Sequence, residues 1–402
     1  MNTILKTMCI TALSAGCIFA GSRNADACIT YEEHKALQHN LQAEEKPAEK
    51  PKAPPPKIQL AILLDTSGSM DGLIDQARTQ IWKLVNEFAF VKQGGVTPEF
   101  ELALYEYGKS SIPAEEGYLR QLVGFSTDLD KVSEELFKLT TNGGSEHCGQ
   151  VIKAAVEGLA WSKVESDYKA IFIAGNEPFT QGPVDYREAC KLAISKGIIV
   201  NTLHCGSYDE GVQGKWLEGA QLADGSYMSI DHNTKVAHIE APQDKEIIEM
   251  GEKINGTYIR YGKDGNEGAQ RQEAQDKNAD DAGQGANVNR ALAKGKEQYR
   301  NSAWDAIDAI DEGRVKIEDM KKEDLPEELR KMTTEELKEH IDKKRTERKE
   351  LREKLAELEK ARNKYVAEKR REMAANGDTG IDEAMIKAIR EQAGKRNFKN
   401  EG

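Results

Sequence analysis

Between about Lys57 and Gly262, short apolar runs alternate with stretches whose apolar residues recur at helical spacing. The runs Ile58–Leu64, Phe100–Tyr107, Leu119–Phe125, Ala170–Ala174, Ile198–His204 and Tyr227–Ile230 predict six strands. The stretch from Leu73 to Phe90 places Leu73, Ile74, Ala77, Ile81, Leu84, Val85 and Phe88 on one helical face, and Leu129–Leu139, Gly149–Trp161, Val184–Lys196 and Lys245–Ile254 repeat the pattern. Strands alternating with helices predict an α/β fold with a mostly parallel sheet covered on both faces.

The pattern changes after Gly262. Residues 263–287 are rich in Gln, Asn, Asp, Ala and Gly and read as a polar linker or a weak solvated helix. From Val288 to Ile310, Leu292, Tyr299, Ala303, Ile307 and Ile310 form a stripe that predicts one helix, with Trp304 docked on a neighbour. Thr333-Thr334-Glu335-Glu336 is a capping box, and no breaker follows before Asn376-Gly377, which predicts a helix of about 42 residues, roughly 63 Å long. Its Leu337, Ile341, Leu351, Leu355, Leu358 and Tyr365 make a seam interrupted by Lys344, Arg348 and Arg362. Two readings follow: a long helix packed within the chain on Val288–Ile310, or a short coiled coil through which the tail self-associates. A last helix is expected over Ile381–Ala393. The helical tail thus spans residues 288–402.

The amino-terminal end has export character. Lys6, the apolar stretch Met8–Ala20 and Ala25-Asp26-Ala27 match a signal peptide over residues 1–27. Cleavage there leaves no transmembrane helix and implies a periplasmic, cell-surface or secreted protein. Cys17, in Leu13-Ser14-Ala15-Gly16-Cys17, offers a lipid anchor as the alternative. Residues 28–56 turn polar and end in Pro51-Lys52-Ala53-Pro54-Pro55-Pro56, a semi-rigid spacer.

Composition narrows the partners. The 402 residues are 38% hydrophobic and 31% charged, and the net charge of −12 with no basic patch in the folded part excludes a nucleic-acid or anionic-membrane surface.

One segment carries chemistry. Asp65-Thr66-Ser67-Gly68-Ser69 follows the first strand directly, and a carboxylate with hydroxyls at i, i+2 and i+4 can converge on a small hard cation. The same residues also suit the cap of the following helix, a reading that needs no ion. This loop resembles the first loop of the von Willebrand factor type A family, and the resemblance runs over residues 57–262. It implies a doubly wound, Rossmann-like sheet of six strands with its ligand site beyond the strands' carboxyl ends. It further implies a metal-ion-dependent adhesion site holding Mg²⁺, or Mn²⁺ or Ca²⁺, that accepts an acidic side chain of a protein partner. The family's second loop carries a Thr where Ser145 stands in Thr140-Thr141-Asn142-Gly143-Gly144-Ser145-Glu146. The third-loop Asp is replaced by Gly175, which leaves Asn176 and Glu177 as the substitutes. The expected ligand set is therefore Asp65, Ser67, Ser69, Ser145, Asn176 and Glu177.

Export would allow thiols to pair, and of Cys28, Cys148, Cys190 and Cys205 a Cys148–Cys205 disulfide is the expected one. His147-Cys148 and His204-Cys205 raise a zinc site or a cysteine hydrolase, yet adjacent side chains diverge and no nucleophile motif is present. The expectation is a non-enzymatic protein-binding module, with a metal-independent scaffold built on the long helices as the alternative.

Overall fold

The computed structural model describes residues 54–88, 91–230, 238–373 and 381–400. The leader (1–27), its lipid alternative at Cys17, Cys28 and all but the last three residues of the spacer lie outside the described residues. Residues Pro55–Gly402 form one compact unit.

The chain runs β1 (Lys57–Asp65), α1 (Asp71–Phe88), β2 (Val91–Gln93), β3 (Glu99–Tyr107), β4 (Leu119–Ser126), α2 (Leu129–Lys138), α3 (Cys148–Gly158), β5 (Tyr168–Gly175), α4 (Tyr186–Ser195), β6 (Ile199–Cys205), α5 (Tyr208–Gln213), α6 (Trp216–Leu222), β7 (Tyr227–Ile230) and α7 (Asp244–Asn255). Six strands make one sheet in the order β4-β3-β1-β5-β6-β7, parallel except for β4. Because β1 lies between β3 and β5, the connections leave it in opposite directions, and the crevice at its carboxyl end is the topological switch point. Asp65 is the last residue of β1, paired with Tyr107.

Strand alternation divides the core. Ile58, Leu60 and Leu64 face Leu73, Trp82 and Phe88 on one side, while Ala61 and Leu63 face Val151, Ile152 and Tyr186 on the other. The expected fold class is the one observed: a doubly wound α/β sheet of the von Willebrand A type, followed by helices.

Those helices are α8 (Gly265–Asp281), α9 (Gln284–Lys294), α10 (Ala306–Asp311), α11 (Thr334–Met373) and α12 (Ile381–Gly394), before the short strand β8 (Phe398–Asn400). Residues 263–287, expected as a linker or a weak solvated helix, hold a 17-residue helix whose Gly265, Gly268, Ala269, Gln272, Gln275 and Ala279 are buried. Small residues permit close approach: a Cβ on Gly268 would lie 2.2 Å from the Trp304 ring. The single helix expected over Val288–Ile310 is two, because the first ends at Gly295 and Asp305 caps the second by accepting the Asp308 N–H at 2.9 Å.

The long helix packs within the chain. Leu355 and Leu358 join Ile247, Ile254, Val288 and Leu292, and Leu337 and Ile341 join Ile259, Ile307, Leu325 and Leu329. The charged interruptions of its seam find partners here. Arg348 donates to Asp305 at 2.8 Å and to Asp308 at 3.0 Å, and Arg362 donates to Asp244 at 2.7 Å. A coiled-coil seam open to a second copy is therefore not what these positions form. The tail also closes the sheet's own core, where Tyr299, Ile389, Ala393 and Phe398 pack with the β1 side chains, and β8 pairs antiparallel with β2.

Candidate metal centre

Asp65 ends β1 fully buried, and Thr66 and Ser67 behind it are buried as well. The loop is held by backbone bonds to its neighbours: Thr66 N–H to Tyr107 at 2.8 Å, Gly68 N–H to Gly143 at 2.8 Å and Asn142 N–H to Thr66 at 3.1 Å. Asp65 Oδ1 accepts the Ser67 N–H at 2.8 Å. Among the described residues, Asp65 Oδ2 has no hydrogen-bond partner, and it has no access to solvent. The helix-capping reading leaves this oxygen unexplained, since the carboxylate spends one atom inside its own loop and the other on nothing.

The hydroxyls of the same loop lie close to one another. Ser67 Oγ lies 3.5 Å from Ser69 Oγ, and Asn176 Nδ2 donates to Ser69 Oγ at 3.1 Å. Asn176 Oδ1 is again buried without a partner. Ser145 is placed by its backbone, whose N–H donates to Gly108 at 3.1 Å, and its side chain is half-buried. Glu177 is half-buried at the rim, where Gln181 donates to it at 3.2 Å and its main-chain oxygen accepts from Trp216 at 2.9 Å. The first and third loops are thus in direct side-chain contact, whereas Ser145 enters through main-chain pairing.

Sequence reasoning passed over Glu146. It is buried, and a Cβ on Gly144 would lie 1.9 Å from its Oε1 and 2.8 Å from Ser67 Cβ. Its neighbour Ser145 matches the hydroxyl that the resemblance implies for the second loop; the signal for Glu146 is a carboxylate two residues after Gly143-Gly144.

Burial dominates the electrostatics. It raises the Asp65 carboxyl from its ordinary value to about 7, with Glu146 and Glu177 pushing in the same direction against hydrogen bonds from Ser67. Glu146 is raised too, first by burial and then by Glu177.

Gly175 has a steric reason. A Cβ there would lie 2.6 Å from the Tyr107 hydroxyl and 3.0 Å from Asp65 Oδ2. Tyr107 donates from that hydroxyl to the Ala174 carbonyl at 3.0 Å, so the space of a third-loop side chain is already filled.

The expected Cys148–Cys205 disulfide does not form. Cys148, Cys190 and Cys205 are free and buried, and strand alternation sends Cys205 into the core on one face of the sheet while Cys148 belongs to the other. Burial raises all three thiols, Cys190 to about 12 and the other two further, so Cys148 is not an activated nucleophile. Both ring nitrogens of His204 lie 3.1 Å from main-chain oxygens, of Ser207 and Asn176, which removes it from a zinc site.

Among the described residues, no three His, Cys, Asp or Glu side chains gather as a metal cluster. The donor set here is mixed, combining a buried carboxylate, hydroxyls and an amide oxygen. Such oxygen donors suit a hard cation.

The mostly parallel sheet, with its polar loop cluster at the switch point, has the doubly wound α/β arrangement of a von Willebrand A-type fold. No family model matches the chain, and no curated protein does. Among solved structures, BatB from Bacteroides thetaiotaomicron is 18% identical over 43% of this chain and 90% of its own, with a TM-score of 0.34. The SpRpn10 VWA domain is 16% identical over 43% and 88%, at 0.33. Proximal thread matrix protein 1 of the mussel byssus, solved with a zinc-occupied MIDAS motif, is 12% identical over 44% and 42%, at 0.32. The fold assignment rests on this chain's own strand order and register.

Proposed function

We propose that this protein is an exported, non-enzymatic interaction module that binds an acidic side chain of a protein partner through a divalent cation. Asp65, Ser67, Ser69, Ser145, Asn176 and Glu177 form the site, and Mg²⁺ is the first candidate, ahead of Mn²⁺ and Ca²⁺. The observation that carries the reading is Asp65 Oδ2, a buried carboxylate oxygen without a partner among the described residues, in the loop that also carries the paired Ser67 and Ser69 hydroxyls. A buried, unpaired acceptor is costly, and a cation would satisfy it. When bound, the cation supplies a Lewis-acidic position for a carboxylate oxygen of the partner. The chain's own residues fix the loops, keep water from Asp65 and orient the serine hydroxyls.

The absence of a third-loop carboxylate at position 175 shapes the site in a particular way. With Gly175 in place of an Asp, less protein charge offsets the cation, which favours an anionic partner group as the remaining ligand. Residues 57–262 are the binding part in this reading, with the tail packed on it and the 28–56 spacer giving reach after removal of the leader.

The test uses a fluorescent glutamate-rich peptide and the full chain. Anisotropy that rises in Mg²⁺ or Mn²⁺, and falls back with EDTA or with Asp65→Ala, supports the reading. Binding undiminished by EDTA would refute it.

A second reading, a metal-independent scaffold, is favoured by the buried Arg348–Asp305–Asp308 cluster, which ties the long helix rigidly to the rest. It predicts that EDTA changes neither stability nor association.

A further inference from the structure

We infer that Glu146 is the second protein carboxylate of the cation site, taking the part that Gly175 leaves vacant from the opposite side of the cluster. The inference rests on the cation reading above and deepens it by naming a ligand that lies outside the expected set.

Three observations lead there. Glu146 is 7% exposed, and among the described residues no basic side chain forms an ion pair with it or with Asp65. Its position is close to the first loop: a single point, the Cβ that Gly108 lacks, is 2.8 Å from Asp65 Oδ1 and 3.1 Å from Glu146 Cγ. The point that Gly144 leaves open is likewise shared, between Glu146 Oε1 and Ser67 Cβ. Ser67 also donates its N–H to Asp65 Oδ1 at 2.8 Å, which fixes the first loop at this point. Two glycines, Gly108 with φ of +84° and Gly144, therefore let Glu146 fold over the first loop, where side chains at those positions would collide with it.

An acidic pair alone would be a liability. What makes it a site is that Asp65, with no exposure, leaves Oδ2 without a partner while its other oxygen serves the loop. Buried like charges persist when a counter-charge joins them, and the basic side chains of the adjoining β3–β4 segment are engaged elsewhere: Arg120 pairs with Glu106 and Lys109 donates to Thr140 at 2.7 Å. A divalent cation matches the two negative charges. The hydroxyls of Ser67 and Ser69, with Glu177 at the rim, then complete an all-oxygen set.

The experiment is Mn²⁺ titration of the full chain followed by electron paramagnetic resonance, which counts free Mn²⁺ directly. Wild type is compared with Glu146→Gln, Glu146→Ala, Glu157→Gln and Asp65→Ala, each first shown to be folded in EDTA by its unfolding transition. The expected result is at least a tenfold loss of Mn²⁺ affinity in Glu146→Gln or, should that variant not fold, in Glu146→Ala. Glu157→Gln, at an exposed acid near the far end of α3, should stay within about threefold of wild type. If wild type binds, Asp65→Ala does not, and the folded Glu146 variant keeps wild-type affinity, the role of Glu146 is refuted while the cation site stands. If wild type binds no Mn²⁺ at millimolar concentration, both fall together.

Discussion

Two regions of this molecule bury acidic side chains, and they treat them in opposite ways. Where the tail meets the rest of the chain, each buried acid has a basic partner: Asp130 with Arg290 at 2.5 Å, Asp305 with Arg348, Asp244 with Arg362, and Glu359 with Lys296. At the end of β1, Asp65 and Glu146 are buried too, and among the described residues neither has one. Burying a charge costs several kcal/mol unless it is compensated. The first region is compensated within the chain and reads as structure, whereas the second awaits a charge from outside and reads as a site.

The largest effect should come from breaking the compensated region. Arg348→Ala leaves Asp305 and Asp308 buried together and removes the bonds to Thr257, so it should cost about 3–5 kcal/mol, read as a lower urea midpoint.

The uncompensated region should respond the other way. In EDTA the folded chain keeps the Asp65 proton up to about pH 7, while the unfolded chain releases it near the ordinary value of 3.8. Between those values the folded state holds more protons, so stability falls as pH rises from about 4 to about 7 and then levels off. The upward shift of Glu146 adds to the same slope. Asp65→Asn should flatten it and raise the urea midpoint in EDTA at pH 8. A slope of the opposite sign, or a less stable Asp65→Asn, would show that the carboxylate is compensated after all.

The contrast was only half legible in the sequence. The sheet was readable because apolar runs of strand length, such as Ile58–Leu64, alternate with helical faces such as Leu73–Val85. Asp65 was readable because a strand ends there in a carboxylate followed by spaced hydroxyls. The helix Gly265–Asp281 was hidden because its buried face is built of Gly, Ala and Gln, which carry little hydrophobic signal. Arg348 and Arg362 looked like faults in a seam because their partners lie 43 and 118 residues away. The cysteine pairing failed for a related reason: Cys148 and Cys205 reach the same edge of the sheet, but which face each side chain enters depends on its packing in the fold. Glu146 was missed because its meaning depends on Gly108 and Gly144, glycines that matter only once three loops are brought together.

A smaller effect would sharpen the account of the third loop. Gly175→Asp restores the family's residue type, yet its Cβ meets the Tyr107 hydroxyl and Asp65, so it should destabilise the chain by about 1–3 kcal/mol in EDTA. Pairing it with Tyr107→Phe should recover part of that loss by removing the hydroxyl. A variant as stable as wild type would mean that the position had room for an Asp.

The central claim is that the buried charge at the end of β1 is completed by a divalent cation, and the most direct measurement is the melting temperature of the full chain in EDTA and in Mg²⁺, Mn²⁺ or Ca²⁺. A cation that binds only the folded state stabilises it by about 2.7 kcal/mol at ~100 times its Kd. The account predicts a rise with at least one of these ions in wild type and none in Asp65→Ala. Identical melting in EDTA and in millimolar amounts of every cation would contradict it.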